Sequence, residues 1–224
     1  MTTTTKPDTA IELVSQLSGD SLTPENVCMM IGIGTDKDSP AVFFQYLGDK
    51  NYKALMLPNG KPLTSLINVR LQGLSVADGV GEFESTKLNL FLATTEGNVV
   101  MLTSGLNTYW SQCVLTGLMA LADEDLLNET IKLDTWKGTS KMQPCFAAIH
   151  VNGKKYSEKS LYEQLAELRS MKGKDERNAA MAACLRQAVD IISTSYQGIE
   201  PVTVEEAPKQ ITPGVVVTTE ANVY

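Results

Sequence analysis

Lys87-Leu-Asn-Leu-Phe-Leu-Ala-Thr-Thr-Glu-Gly-Asn-Val-Val-Met-Leu-Thr-Ser-Gly-Leu-Asn-Thr-Tyr-Trp110 is the stretch that decides the fold. Leu88, Leu90 and Leu92 alternate with Asn89, Phe91 and Ala93, the period of a half-buried strand. Glu96-Gly97 predicts a tight turn, and Asn98 to Thr103 returns as the second arm of a hairpin. Gly105 breaks that arm. Asn107 is then placed to cap a helix running to about Ala122, with Trp110, Cys113, Val114, Leu118 and Leu121 as its apolar stripe.

Working outward, Leu66 to Val76 predicts a strand in which Ile67, Val69 and Leu71 alternate with Asn68, Arg70 and Gln72. Gly79-Val-Gly81 follows as a turn or bulge. Beyond the helix, Thr130 to Trp136 and Cys145 to Val151 predict two strands joined by the loop Lys137-Gly-Thr-Ser-Lys141. Asn152-Gly153, both tolerant of positive φ, predicts a turn into Lys154-Lys-Tyr156. Two helices come next. Ser160-Leu-Tyr-Glu163 has capping-box spacing ahead of a Leu161, Leu165, Leu168 face. After Lys172-Gly-Lys174, Glu176 to Ser193 carries Met181, Leu185, Ala188 and Ile192 on one stripe.

Ahead of the hairpin, Ile11, Val14 and Leu17 mark an amphipathic helix over Thr9 to Leu17, and Thr23-Pro24 has the form of a helix start. Val27 to Ile33, Ala41 to Tyr46 and Tyr52 to Leu57 read as strands, with turns at Thr35 to Pro40 and at Pro58-Asn59-Gly60. From Gln197 the periodicity fades and Pro201, Pro208 and Pro213 appear, so 197–224 is expected to be a disordered tail. The expected division is an N-terminal helix and β extension over 1–65, a barrel over 66–158, a helical segment over 159–196, and the tail.

Strand, strand, strand, helix, strand, strand is the order from Leu66 to Tyr156. In that order, in its two hairpin turns, and in Gly105-Leu-Asn-Thr-Tyr-Trp110 leading into the helix, the chain resembles the OB-fold single-stranded DNA-binding proteins. The resemblance implies an α+β fold: an OB-like five-stranded antiparallel barrel whose end is plugged by the helix, with the N-terminal β extension and C-terminal helices added to it. It also implies a nucleic-acid groove across the second and third strands, flanked by the first-to-second and fourth-to-fifth loops. A flexible acidic tail that docks protein partners by its tip belongs to the same picture, although Ala221-Asn-Val-Tyr224 lacks an acidic cluster.

The charge distribution gives that expectation residues. The chain has 224 residues and a formal net charge of −7, but the deficit is uneven. Residues 1–131 are net −8, residues 132–177 net +4 and residues 178–224 net −3. Binding a single strand needs cations for phosphates and flat rings for bases. Lys132, Trp136, Lys137, Lys141, Lys154, Lys155 and Tyr156 lie in the positive stretch and supply both. Phe91 is out of phase with the three leucines of its strand and joins them as a stacking candidate. DNA and RNA are both open at this point. The C-terminal helices are expected to support a homo-oligomer.

Other chemistries find little purchase. Cys28, Cys113, Cys145 and Cys184 are too far apart for a CxxC knuckle and sit among apolar neighbours, as reduced buried thiols do. His150 is the single histidine, so no multi-histidine metal site can form, and a Cys/His nucleophile pair has no local support. Gly32-Ile-Gly34 lacks a third glycine, and Gly60-Lys61 runs into Pro62, so no phosphate loop is readable. The expectation is a protein that is not an enzyme and holds no cofactor or metal. No apolar run approaches the roughly 20 residues of a membrane span, and the N-terminus lacks a secretory core, so a cytoplasmic location is expected. The competing reading is a protein-interaction or assembly module, such as a viral or plasmid accessory or structural factor, in which the Met29-Met30 region and the Ala-rich helix form the interface.

Overall fold

Leu88, Leu90 and Leu92 are completely buried, and Val100 and Leu102 face them from the return strand. Each such side chain stabilises the fold by roughly 1.5–3 kcal/mol on burial. This hairpin, β5 (Ser85–Ala93) and β6 (Val99–Gly105), is the centre of the computed structural model, which describes residues 29–34, 38–48, 51–80, 84–95 and 97–196. The helix expected over Thr9 to Leu17, the helix start at Thr23 and the tail over 197–224 lie outside the described residues.

The remaining strands are β1 (Met29–Ile33), β2 (Phe43–Gly48), β3 (Asn51–Ala54), β4 (Ser65–Val80), β7 (Thr130–Lys137), β8 (Cys145–Val151) and β9 (Lys154–Tyr156). The helices are α1 (Tyr109–Asp123), α2 (Lys159–Ser170) and α3 (Lys174–Ser195). The order of elements from β4 to β8 is the one expected, β9 is a further strand after it, and the class is α+β. The closed five-stranded antiparallel barrel is not what forms. All nine strands belong to one open, mixed sheet in the order β3-β2-β1-β6-β5-β4-β7-β8-β9. The reason lies in the N-terminal strands. Met29 to Gly32 pairs in parallel with Val100 to Thr103, so β1 takes the edge of β6 that closure would need. On the other side β9 takes the free edge of β8.

The sheet curls nonetheless. β4 is 16 residues long and is shared by two partners, β7 along its first half and β5 along its second. Its register slips between Leu66 and Val69, where Asn68 adopts φ 55°, and again between Leu71 and Gly73. Bulges of this kind bend and twist a strand. The first bulge also corrects the expected alternation, because Leu66, Val69 and Leu71 are the buried residues and Ile67 is not. Curling brings the connection between β1 and β2 against the β7–β8 hairpin without strand pairing. The Cys145 thiol donates to the Gly34 carbonyl at 2.9 Å, and the Lys137 ammonium donates to the Ser39 carbonyl.

α1 covers the inner face. Trp110 is fully buried and donates from Nε1 to Thr135 Oγ1 at 3.1 Å. Thr108, not Asn107, is the N-cap, accepting from the Ser111 amide at 3.3 Å, while the Asn107 side chain reaches the Asn178 carbonyl of α3. Likewise Glu158, not Ser160, caps α2. Its amide is held by the Thr116 carbonyl at 2.8 Å, which sets its carboxylate over the Ser160 and Leu161 amides. Burial pushes the Glu158 carboxyl up, but those amides and the Ser160 hydroxyl outweigh it, and the pKa falls below the ordinary value.

Gly117 fixes how closely α1 approaches β8, because a Cβ there would lie 3.1 Å from Ile149. Gly117→Leu is therefore expected to overpack this contact at a cost of about 1–3 kcal/mol. A thermal melt should show it as a Tm lower by several degrees, each kcal/mol being worth about 2–4 °C in a domain of this size. An unchanged Tm would mean that α1 has room to retreat.

Candidate nucleic-acid interface

Strand pairing sorts the expected binding residues onto two sides of the sheet. In β7, Ile131, Leu133 and Thr135 are buried against the helices, so Lys132, Asp134 and Trp136 point to solvent. Phe91 joins them on that face, half-buried between Gly73 of β4 and Met101 of β6. Lys155 pairs with His150, which pairs with Lys132, so Lys155 is there as well. Lys154 and Tyr156 are on the other side. Tyr156 is packed into the core at 8% exposure, and Lys154 lies 4.4 Å above its ring while bonding Glu124 at 3.0 Å. Lys137 is half-buried and tied to Ser39, and Lys141 is exposed in the loop after β7. Sequence grouping thus joined residues that the pleat separates.

Among the described strand residues, the solvent face carries Arg70, Lys87, Lys132 and Lys155 against one carboxylate, Asp134. That carboxylate is already engaged. Ser65 Oγ donates to it at 2.5 Å and Lys132 Nζ lies 3.0 Å away. His150 Nδ1 is 3.2 Å from Asp134 Oδ2 but out of line for a hydrogen bond. Partial burial raises the Asp134 pKa, the Ser65 hydroxyl and the Lys132 charge lower it by more, and the net shift is downward.

The most distinct feature of this face is a ring cluster at the β7–β8 end. Trp136 is 43% exposed and stacks on Phe146 with centroids 6.2 Å apart and planes 21° from parallel. Phe146 in turn meets Tyr109, at the start of α1, at 5.3 Å. The Arg169 guanidinium of α2 lies 5.7 Å from the Tyr109 ring and 5.8 Å from that of Tyr162. Trp136, Lys137, Gly138, Thr139, Ser140, Pro144 and Phe146 line an open cleft of about 320 Å³. Gly138 makes the cleft possible, since a Cβ at that position would sit 2.8 Å from the Phe146 ring.

Phe146, Tyr109 and Arg169 were not anticipated as site residues. The signal for Phe146 was present: a hairpin loop centred on Lys141 pairs position 136 with 146. Tyr109 and Arg169 had no such signal, because helix packing alone brings them in.

Nucleophilic chemistry has no foothold at the only histidine. Cys145 faces the interior while His150 faces solvent, and burial pushes the Cys145 thiol up despite the nearby Lys137 charge. Cys184 is raised by burial too. Among the described residues no cluster of His, Cys, Asp and Glu could hold a metal ion, and no helix is long and apolar enough to cross a membrane. Compared with protein-family models, with curated proteins and with solved structures, the chain matches none.

A carboxylate with a lowered pKa stabilises the fold above its unfolded-state pKa, and that contribution is lost as pH falls through the folded-state value. Ser65→Ala is expected to raise the Asp134 pKa and so to shrink the stability lost on acidification through that window. Carboxyl NMR titration of the variant checks the direction. Gly138→Val should displace Phe146 and change the Trp136 emission spectrum, whereas an unchanged spectrum would show that the ring stack does not depend on Gly138.

Proposed function

We propose that this chain is a non-enzymatic single-stranded DNA-binding protein acting in replication or recombination, and that the Trp136 cleft holds a base of the bound strand. The observation that carries the reading is the exposed indole of Trp136 stacked on Phe146 on a sheet face where cations outnumber carboxylates. Every base has a π-face, so a ring of this kind grips any sequence, at roughly 1–3 kcal/mol per base. The indole is already held by Phe146, so little ordering cost falls on binding.

Lys141 in the loop that borders the cleft, with Arg70, Lys87 and Lys132 on the solvent face of the sheet, offers phosphate contacts whose counterion release favours binding. The chain's negative excess does not oppose this. Asp123, Glu124 and Asp125 end α1, and Asp78 is paired with Arg186 of α3. Such charges fade from one another beyond a screening length of about 8 Å at physiological salt.

Fluorescence polarisation with labelled oligo-dT is the test. Binding should be sequence-tolerant and weaken steadily as salt is raised. Trp136→Ala should weaken it about tenfold or more, in line with the loss of one stacked base, without changing the elution volume of the protein. No binding at micromolar protein in low salt would overturn the reading.

A further inference from the structure

Two tyrosines of the N-terminal strands stand out on the solvent face of the sheet. Tyr46 of β2 pairs with Tyr52 of β3, their ring centroids are 5.3 Å apart, and they are 37% and 60% exposed. The rings do not stand alone. Strand register continues their row inward: Gln45 pairs with Ile31, which leaves Tyr46 and Met30 both facing solvent, and Met30 then pairs with Met101 and Met101 with Phe91. Tyr52, Tyr46, Met30, Met101 and Phe91 thus form a band of flat or polarisable side chains across five strands.

This band is joined to the Trp136 cleft by Gly34. The Gly34 carbonyl accepts from Cys145, the residue before Phe146. On its other side Gly34 lies flat against the Phe44 ring, where a Cβ would meet the ring at 2.4 Å. Phe44 and Tyr46 are two apart in β2 and share a face. The start of β8, which carries Phe146 on its solvent side, thus lies against the end of β1, beside Phe44.

We propose that Tyr46 and Tyr52 are a second stacking surface for the same single strand, so that a bound DNA runs from the Trp136 cleft across the β1–β2 end onto β2 and β3. The assignment rests on the reading that the Trp136 cleft binds DNA. Charge favours a polyanion as the occupant, since the only carboxylate among the described strand residues of this face is Asp134, already held by Ser65 and Lys132. The aromatic band supplies the sequence-tolerant contacts that an unpaired strand uses.

The experiment compares oligo-dT of about 6 and about 20 nucleotides, which bracket the roughly 4–16 nucleotides that comparable grooves cover. Both are titrated against the wild type, Trp136→Ala, the double variant Tyr46→Ala/Tyr52→Ala and the double variant Tyr46→Phe/Tyr52→Phe. Both tyrosines are exposed, and a thermal melt checks that the variants keep the wild-type fold. The expected result is that the alanine pair leaves the short oligonucleotide unaffected and weakens the long one about tenfold or more, while the phenylalanine pair binds like wild type. Equal binding of the long oligonucleotide by wild type and the alanine pair would overturn the second surface, yet leave the Trp136 reading intact if Trp136→Ala still weakens both lengths. Failure of the wild type to bind either length would overturn both. A wild-type dimer that the alanine pair converts to monomer would show that a second copy of this chain covers the tyrosines, and would overturn the proposal as well.

Discussion

The outer edge of β6 is the constraint from which the shape of the sheet follows. A strand edge presents unpaired amides and carbonyls, and burying them without partners is costly. Here β1 lies along that edge in parallel and satisfies it. Once β1 is in place, β8 cannot pair with β6, and β8 finds its second partner in β9 instead. The sheet then has to accommodate its curvature through bulges in β4 rather than through closure. It also gains three strands, β1, β2 and β3, which carry Tyr46 and Tyr52 into the solvent face.

The same arrangement separates the charges. Carboxylates gather with the helices, at the end of α1 and at the start of α2 and α3, where Glu158, Asp175 and Glu176 also suit the positive ends of helix dipoles. Cations on the solvent face of the sheet meet little competition. A net charge taken over the whole chain hides this, because it averages two sides that a polyanion would meet separately.

Much of the local structure was legible. The leucine alternation of β5, the Asn152-Gly153 turn with both residues at positive φ, and the β8 boundaries follow from period and turn chemistry acting over a few residues. The caps were less so: Thr108 and Glu158 win over Asn107 and Ser160 because Ser104 and Thr116 hold them, and those partners come from outside the local motif. Closure failed for a similar reason. Nothing in Met29-Met-Ile-Gly-Ile33 announces a parallel partner some seventy residues away. Of the binding candidates, Phe91 was read on the polar side of its strand by alternation, and it lies on the solvent face with Trp136 and Lys132, whose side of β7 was not read. Lys154 and Tyr156 were misgrouped, since nearness in sequence said nothing about which side of β9 each would take.

The long shared strand has a dynamic consequence. Val69 pairs with β7, Leu71 with β5, and Arg70 between them with both, so this segment joins the two halves of the sheet. The amides of this segment should be among the last to exchange with heavy water, at the free energy of global unfolding, whereas those of the short border strands β3 and β9 should open far more cheaply.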